Sequence, residues 1–209
     1  MNERVAHYLR QKRELVDEAL IRVAELDEAV PSALKEAMHY SLFAGGKRLR
    51  PILTLTTAEA LSTSVHTVMP VACAIEMIHT YSLIHDDLPA MDDDDTRRGR
   101  PTNHKVFGEA MAILAGDALL TKAFGLMTTS TQTRQTNAND ILQLIAEASL
   151  AAGAEGMVGG QVADLQAEKK ALSVNELIDV HGLKTGAFLR LSVRAGALLA
   201  GASDEQLHA

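Results

Sequence analysis

The chain has 209 residues, 47% of them hydrophobic and 22% charged, with 27 acidic against 20 basic side chains and a net charge of -7. That composition supports one substantial core and carries no signature of disorder, so a single globular domain over 1–209 is expected. Net negative charge, no Trp, three Tyr and four Phe argue against a nucleic-acid partner, which needs basic surface and aromatic platforms.

No apolar run near 20 residues stands out, so no membrane span is expected, and the polar start at Asn2, Glu3 and Arg4 lacks the apolar core of a secretory signal. A lone cysteine, Cys73, on an apolar stretch suits a buried thiol in a reducing cytoplasm. Helical spacing recurs from end to end while β-branched alternation is almost absent, which predicts an all-α fold. Helices are expected over about 3–27, 32–44, 51–62, 67–87, 108–130, 138–157, 174–186 and 187–201.

Gly45 and Gly46 should end the second helix, and Pro51 suits the first turn of the third. Between them Lys47, Arg48 and Arg50 place cations on a glycine-initiated turn entering a helix, where backbone and charge could both approach a phosphate. An ordinary basic helix start explains the turn as well. It is no P-loop, because Arg48 stands where Ser or Thr is required.

The fourth helix carries the most information. At 100° per residue His79, Ser82 and Asp86 share one narrow stripe, and Pro89 should end or distort the helix near Asp87. Six of the ten residues from Asp86 to Asp95 are aspartates, and Arg97, Arg98 and Arg100 follow. Carboxylates at a helix C-terminus oppose the macrodipole, and so many together need cations to stay ionised. Oxygen ligands suit Mg2+, which is usually shared between one or two protein carboxylates and substrate phosphates; a solvated acidic loop is the competing reading. The break at Pro89 could swing Asp92 back towards Asp86. The aspartates do not make an EF-hand, since the register that puts Gly99 sixth, starting at Asp94, ends on Lys105 where a Glu is required. The polar stretch Leu88–Phe107 reads as a functional loop that orders around its ligands.

Further on, Gln161 and Asp164 follow Gly159 and Gly160 in an apolar stretch, where polar side chains need partners or a capping role. Lys184 and Thr185 lie between Gly182 and Gly186, which permit close packing or a local break, and a lysine there could simply complement a helix end. Ser173 with Glu176, and Ser203 with Gln206, form capping boxes. The second predicts a helix from Asp204, about one turn before Ala209, too short to stand alone, so the sequence is expected to be a fragment of a longer protein.

These motifs, taken in order, resemble the trans-isoprenyl diphosphate synthases over nearly the whole chain: Gly45-Gly46-Lys47-Arg48-Leu49-Arg50-Pro51, Asp86-Asp87 with four residues before Asp92, Arg97-Arg98-Gly99, Gly160-Gln161 with Asp164, and Lys184-Thr185. The resemblance implies an isoprenoid synthase-type helical bundle with a central cavity, working as a homodimer with Mg2+, for which Mn2+ could substitute. It makes Asp86 and Asp92 metal ligands with Asp87 supporting them. Arg97, Lys184 and Thr185 become contacts to the allylic diphosphate, while Lys47, Arg50, His79 and Arg98 become the pocket for isopentenyl diphosphate. Gln161 joins the substrate-binding set. The implied reaction joins isopentenyl diphosphate to dimethylallyl or geranyl diphosphate and releases pyrophosphate.

Tyr81, five residues before Asp86 and about 7.5 Å deeper along the helix, implies by the same resemblance a floor that stops the product at C15, farnesyl diphosphate. A geranylgeranyl-length product is the neighbouring alternative. No second Asp-Asp-x-x-Asp follows Thr185, so the domain is expected to stop short of the family's second aspartate-rich motif, and a noncatalytic partner of a full-length synthase is the alternative in another class. A terpene cyclase would not need the Gly45–Arg50 cluster.

Overall fold

The computed structural model describes residues 3–129, 137–167 and 172–208. Its elements are α1 (Glu3–Val23), α2 (Ser32–Leu42), α3 (Leu49–Ala60), α4 (Val65–Asp86), a two-stranded antiparallel ribbon β1 (Thr96–Arg97) and β2 (Arg100–Pro101), α5 (Asn103–Phe107), α6 (Glu109–Thr128), α7 (Ala138–Ala152), α8 (Met157–Ala167), α9 (Val174–His181), a π-helical turn at Gly182–Gly186, α10 (Ala187–Leu199) and α11 (Asp204–His208). The all-α expectation holds. The end of the expected 108–130 helix and Ala209 lie outside the described residues.

Where boundaries differ, local chemistry explains them. The first helix stops at Val23, ahead of a turn in which the Asp27 carboxylate accepts from the Ala29 N–H at 2.8 Å. The single helix expected over 138–157 is two, because Gly153 and Gly156 fold the chain so closely that an added Cβ would sit 2.5 Å from the Ser149 carbonyl and 2.2 Å from that of Ala151. Both capping boxes form: the Ser173 N–H donates to Glu176 Oε2 at 2.8 Å, and the Ser203 N–H to Gln206 Oε1 at 2.9 Å.

The chain divides into two compact units. The first comprises Met1–Ile52 and Met69–Thr129, the second Leu53–Val68 and Ser130–Ala209. In the first, α2, α5 and α6 pack on one another, and Val71–Ile78 of α4 is buried without interruption, as befits a helix apolar on all faces. In the second, α10 packs on α7 and on the π turn, which also meets α8 and α9. There the missing side chain of Gly196 lets α10 approach α3, since a Cβ would lie 2.3 Å from the Thr54 carbonyl; Thr54 Oγ1 donates to the Ser192 carbonyl at 2.8 Å.

One compositional expectation is corrected. Val65–Asp86, Glu109–Thr128 and Ala138–Ala167 are each long and apolar enough to cross a membrane by length and composition. The sequence reading missed them because scattered polar residues interrupt the apolar runs without lowering the mean hydropathy far enough. The apolar window of the first is 78% buried inside the protein, those of the other two 33%, so core packing accounts for the apolarity of α4 more fully than for the others.

Candidate active site

Asp86 is the last residue of α4. Beyond it the helix tightens, with the Leu88 N–H donating to the His85 carbonyl at 3.1 Å, and the chain reverses so that the Asp92 N–H donates to the Asp86 carbonyl at 2.9 Å. The break next to Pro89 therefore brings Asp92 back to the helix end. Asp87 points elsewhere. It is 3% exposed, and its Oδ1 accepts from Arg97 Nε at 2.5 Å, while Arg97 Nη2 donates to Asp94 at 3.1 Å. Burial pushes the Asp87 carboxyl up, against the pull of Arg97.

The segment after Asp92 is held by the protein's own contacts, where the sequence suggested ordering around ligands. Asp95 pairs with Lys105 at 2.7 Å, Thr102 Oγ1 donates to the Asp94 carbonyl at 2.8 Å, and Asn103 Nδ2 donates at 2.8 Å to both the Ala37 carbonyl and Ser41 Oγ. Tyr40 Oη donates to the Pro101 carbonyl at 2.8 Å, and its ring lies 4.3 Å from the Arg100 guanidinium carbon.

Among the described residues no three His, Cys, Asp or Glu side chains are grouped to cage a metal ion. Of the trio Asp86, Asp87 and Asp92, Asp87 is the one engaged by Arg97. The donor chemistry still fits Mg2+, which keeps several waters and takes one or two carboxylates plus substrate phosphates; the backbone contact brings Asp86 and Asp92 together at one helix end.

The same unit gathers the cations. Gly45 and Gly46 have φ of 84° and 135°, and a Cβ on Gly46 would lie 2.5 Å from Arg98 Nη1, so only glycine admits that guanidinium, which donates to the Gly45 carbonyl. Lys47 is exposed, Arg50 half-buried and Arg48 buried. His79 is half-buried, and its pKa is pushed down to about 3 by burial first and then by Arg50, Arg98, Arg48 and Arg97. A neutral imidazole can offer a hydrogen bond to an anion without competing for a proton. Tyr81 is 7% exposed and meets His85 edge-on at 5.5 Å. Burial raises its pKa, with Asp86 and Asp117 adding to the effect.

In the second unit, a Cβ on Gly160 would lie 2.3 Å from the Lys184 backbone nitrogen, so glycine is what lets the π turn lie against α8. Lys184 Nζ donates to Asp164 Oδ2 at 2.5 Å, and Thr185 on the same turn is exposed. Gln161 is 8% exposed, yet among the described residues neither its amide oxygen nor its nitrogen has a hydrogen-bond partner. An orphaned buried amide is costly. Single-turn π segments in helices frequently mark functional positions.

Sequence reasoning missed Glu76 and Asp17. Arg48 Nη1 donates to Glu76 Oε1 at 2.7 Å, Nε to Asp17 Oδ1 at 2.8 Å, and Nη2 to the Leu42 carbonyl at 2.8 Å. The signal was available: Glu76 is the one charge in the apolar run Val71–Ile78.

An all-α chain whose most buried helix ends in aspartates, in a unit that also collects arginines and a neutral histidine, has the kinds of group that handling a diphosphate through metal and cationic side chains calls for. The comparisons carry this further. Residues 31–209 match the polyprenyl synthetase family. The chain is 56% identical over 202 residues to a farnesyl diphosphate synthase of Geobacillus stearothermophilus, covering 97% of this chain and 67% of that one. It is 50% identical over 208 residues to the farnesyl diphosphate synthase of Bacillus subtilis (strain 168), covering 99% and 69%. It overlays the crystal structure of an FPP/GFPP synthase from Zymomonas mobilis in its apo form with a TM-score of 0.92 at 36% identity, covering 100% of this chain and 75% of that one. The chain belongs to the polyprenyl synthetase family, prenyltransferases that use a divalent metal to condense isopentenyl diphosphate with an allylic diphosphate.

Proposed function

We propose that the chain is the prenyltransferase domain of a Mg2+-dependent synthase that joins isopentenyl diphosphate to dimethylallyl or geranyl diphosphate, giving farnesyl diphosphate and pyrophosphate. The observation that carries this is the folding of Asp92 onto the Asp86 helix end in the unit that also collects Lys47, Arg50, His79 and Arg98. Asp86 and Asp92 would hold Mg2+, with Mn2+ a possible substitute, and the metal supplies charge stabilisation to a departing pyrophosphate when bound. Arg97, oriented by Asp87 and Asp94, would bind the allylic diphosphate; in the second unit, described by itself, Lys184, oriented by Asp164, and Thr185 are groups suited to contact a diphosphate. Lys47, Arg50, Arg98 and neutral His79 would hold isopentenyl diphosphate with its double bond free to attack the allylic cation. Loss of a proton from the resulting cation then yields the product, five carbons longer than the allylic substrate. Tyr81, buried one and a half turns below Asp86, would limit its length.

Exposed apolar side chains support a homodimer: Ile113 and Leu114 on α6 are 44% and 54% exposed, and Leu142 on α7 is 65% exposed. Buried Cys73, its thiol pushed up to about 12 by burial, suits a cytoplasmic protein. The test is incubation with Mg2+, dimethylallyl diphosphate and labelled isopentenyl diphosphate, with products separated by length. Labelled C15 is expected. A product formed from the allylic substrate alone, or no incorporation of isopentenyl diphosphate, would overturn the reading.

A further inference from the structure

Arg48 lies in the middle of the cationic turn yet takes no part in the chemistry described above. Its φ is 51°, a backbone state that a residue with a side chain adopts only when its surroundings require it. The requirement is visible. The guanidinium, 1% exposed, reaches acceptors on three elements at once: Asp17 on α1, Glu76 on α4 and the Leu42 carbonyl at the end of α2. Glu76, 2% exposed, faces three arginines, since Arg48, Arg98 and Arg50 all act on its carboxyl. Burial pushes that carboxyl up, but an arginine that does not deprotonate lies 2.7 Å away, so the ion pair is the form at neutral pH.

We propose that Arg48 and Glu76, with Asp17, are positioning residues for isopentenyl diphosphate: they pin the Gly45–Arg50 turn so that Lys47 and Arg50 meet the anion while Arg48 is held out of it. Glu76 is also the buried countercharge that lets Arg48, Arg50 and Arg98 stay close together before an anion arrives. This rests on the function proposed above.

A merely structural ion pair can be replaced by apolar side chains of similar volume with little loss of stability. A positioning pair cannot be so replaced without disturbing the turn. The test is the double variant Arg48→Met/Glu76→Leu in the whole enzyme, with KM determined separately for each substrate alongside a melting curve. Folding close to wild type is expected, with the KM for isopentenyl diphosphate about tenfold higher and the allylic KM changed less than about twofold. Arg48→Lys should not restore the wild-type KM, because an ammonium cannot replace a planar fork serving three acceptors. Unchanged KM values in a folded double variant, or a fall in kcat alone, would overturn the proposal.

If the double variant fails to fold, Glu76→Gln keeps shape and an acceptor while removing the countercharge. Calorimetry with isopentenyl diphosphate should then read an affinity change of about threefold or more, and no change would overturn the proposal equally. Wild-type protein that does not bind isopentenyl diphosphate at all would remove the functional reading and this inference with it. Wild-type binding with an indifferent variant removes only the inference.

Discussion

The two units build their polar clusters by opposite means. The first concentrates charge: aspartates at the end of α4, arginines on both sides of them, and a partner for Arg97 and Arg48 within each cluster. The second concentrates small residues, so that α8 and the π turn approach until Gly160 has no room for a Cβ, and sets Lys184 and an orphaned Gln161 at that contact. Charged clusters are held by partners that can be exchanged one at a time, whereas close backbone approach is lost with a single methyl group. Substitutions in the first unit should therefore act chiefly on binding and catalysis, and those in the second on folding as well.

The largest expected effect lies in the first unit. Asp86→Asn should leave the melting temperature near wild type and lower kcat/KM by about 10²- to 10³-fold, as removal of a transition-state stabilising group does; steady-state kinetics with both substrates checks it. A similar catalytic loss accompanied by a lower melting temperature would blur the contrast between the units.

Second is a pH effect on stability. His79 has a folded pKa of about 3 against an ordinary 6.5, so the unfolded chain binds the proton more readily. Its contribution is fully present above about pH 6.5 and is lost as the pH falls towards 3, by at most about 5 kcal/mol. Denaturant titrations across that range should show the loss, and His79→Asn should flatten the slope.

In the second unit Gly160→Ala should cost about 1–3 kcal/mol through forced displacement of the π turn, read as a drop in thermal midpoint together with lost activity. Gln161→Leu should have the smallest effect and the opposite sign: removing an unpartnered buried amide should raise stability by about 1 kcal/mol while lowering activity. A Gln161→Leu protein that is both less stable and fully active would show that the amide is already satisfied.

These contrasts also explain what could be read from the sequence. The all-α class followed from 3.6-residue spacing, and the acidic and basic stretch from Asp86 to Arg100 declared itself because its charges are adjacent in the chain. The return of Asp92 to Asp86 was foreseeable from Pro89. That Asp87 turns inward to Arg97, and that Arg48 leaves the cationic turn for Glu76 and Asp17, depends on contacts 10 to 31 residues apart and on the sign of one φ angle, which residue type alone does not specify. The second unit was harder still. Gly160 and the Gly182–Gly186 turn look like ordinary helix punctuation until the backbones meet, and the division of 138–157 at Gly153 and Gly156 arises from carbonyl contacts that a hydrophobic pattern cannot register.

The most direct measurement is calorimetric titration of the protein with inorganic pyrophosphate, with Mg2+ and with the metal chelated, on wild type and on Asp86→Asn/Asp92→Asn. Metal-dependent binding in the wild type and its loss in the double variant are the predicted result. Equal binding with and without Mg2+, unchanged in the variant, would contradict the assignment of Asp86 and Asp92 as the pair that holds metal against a diphosphate.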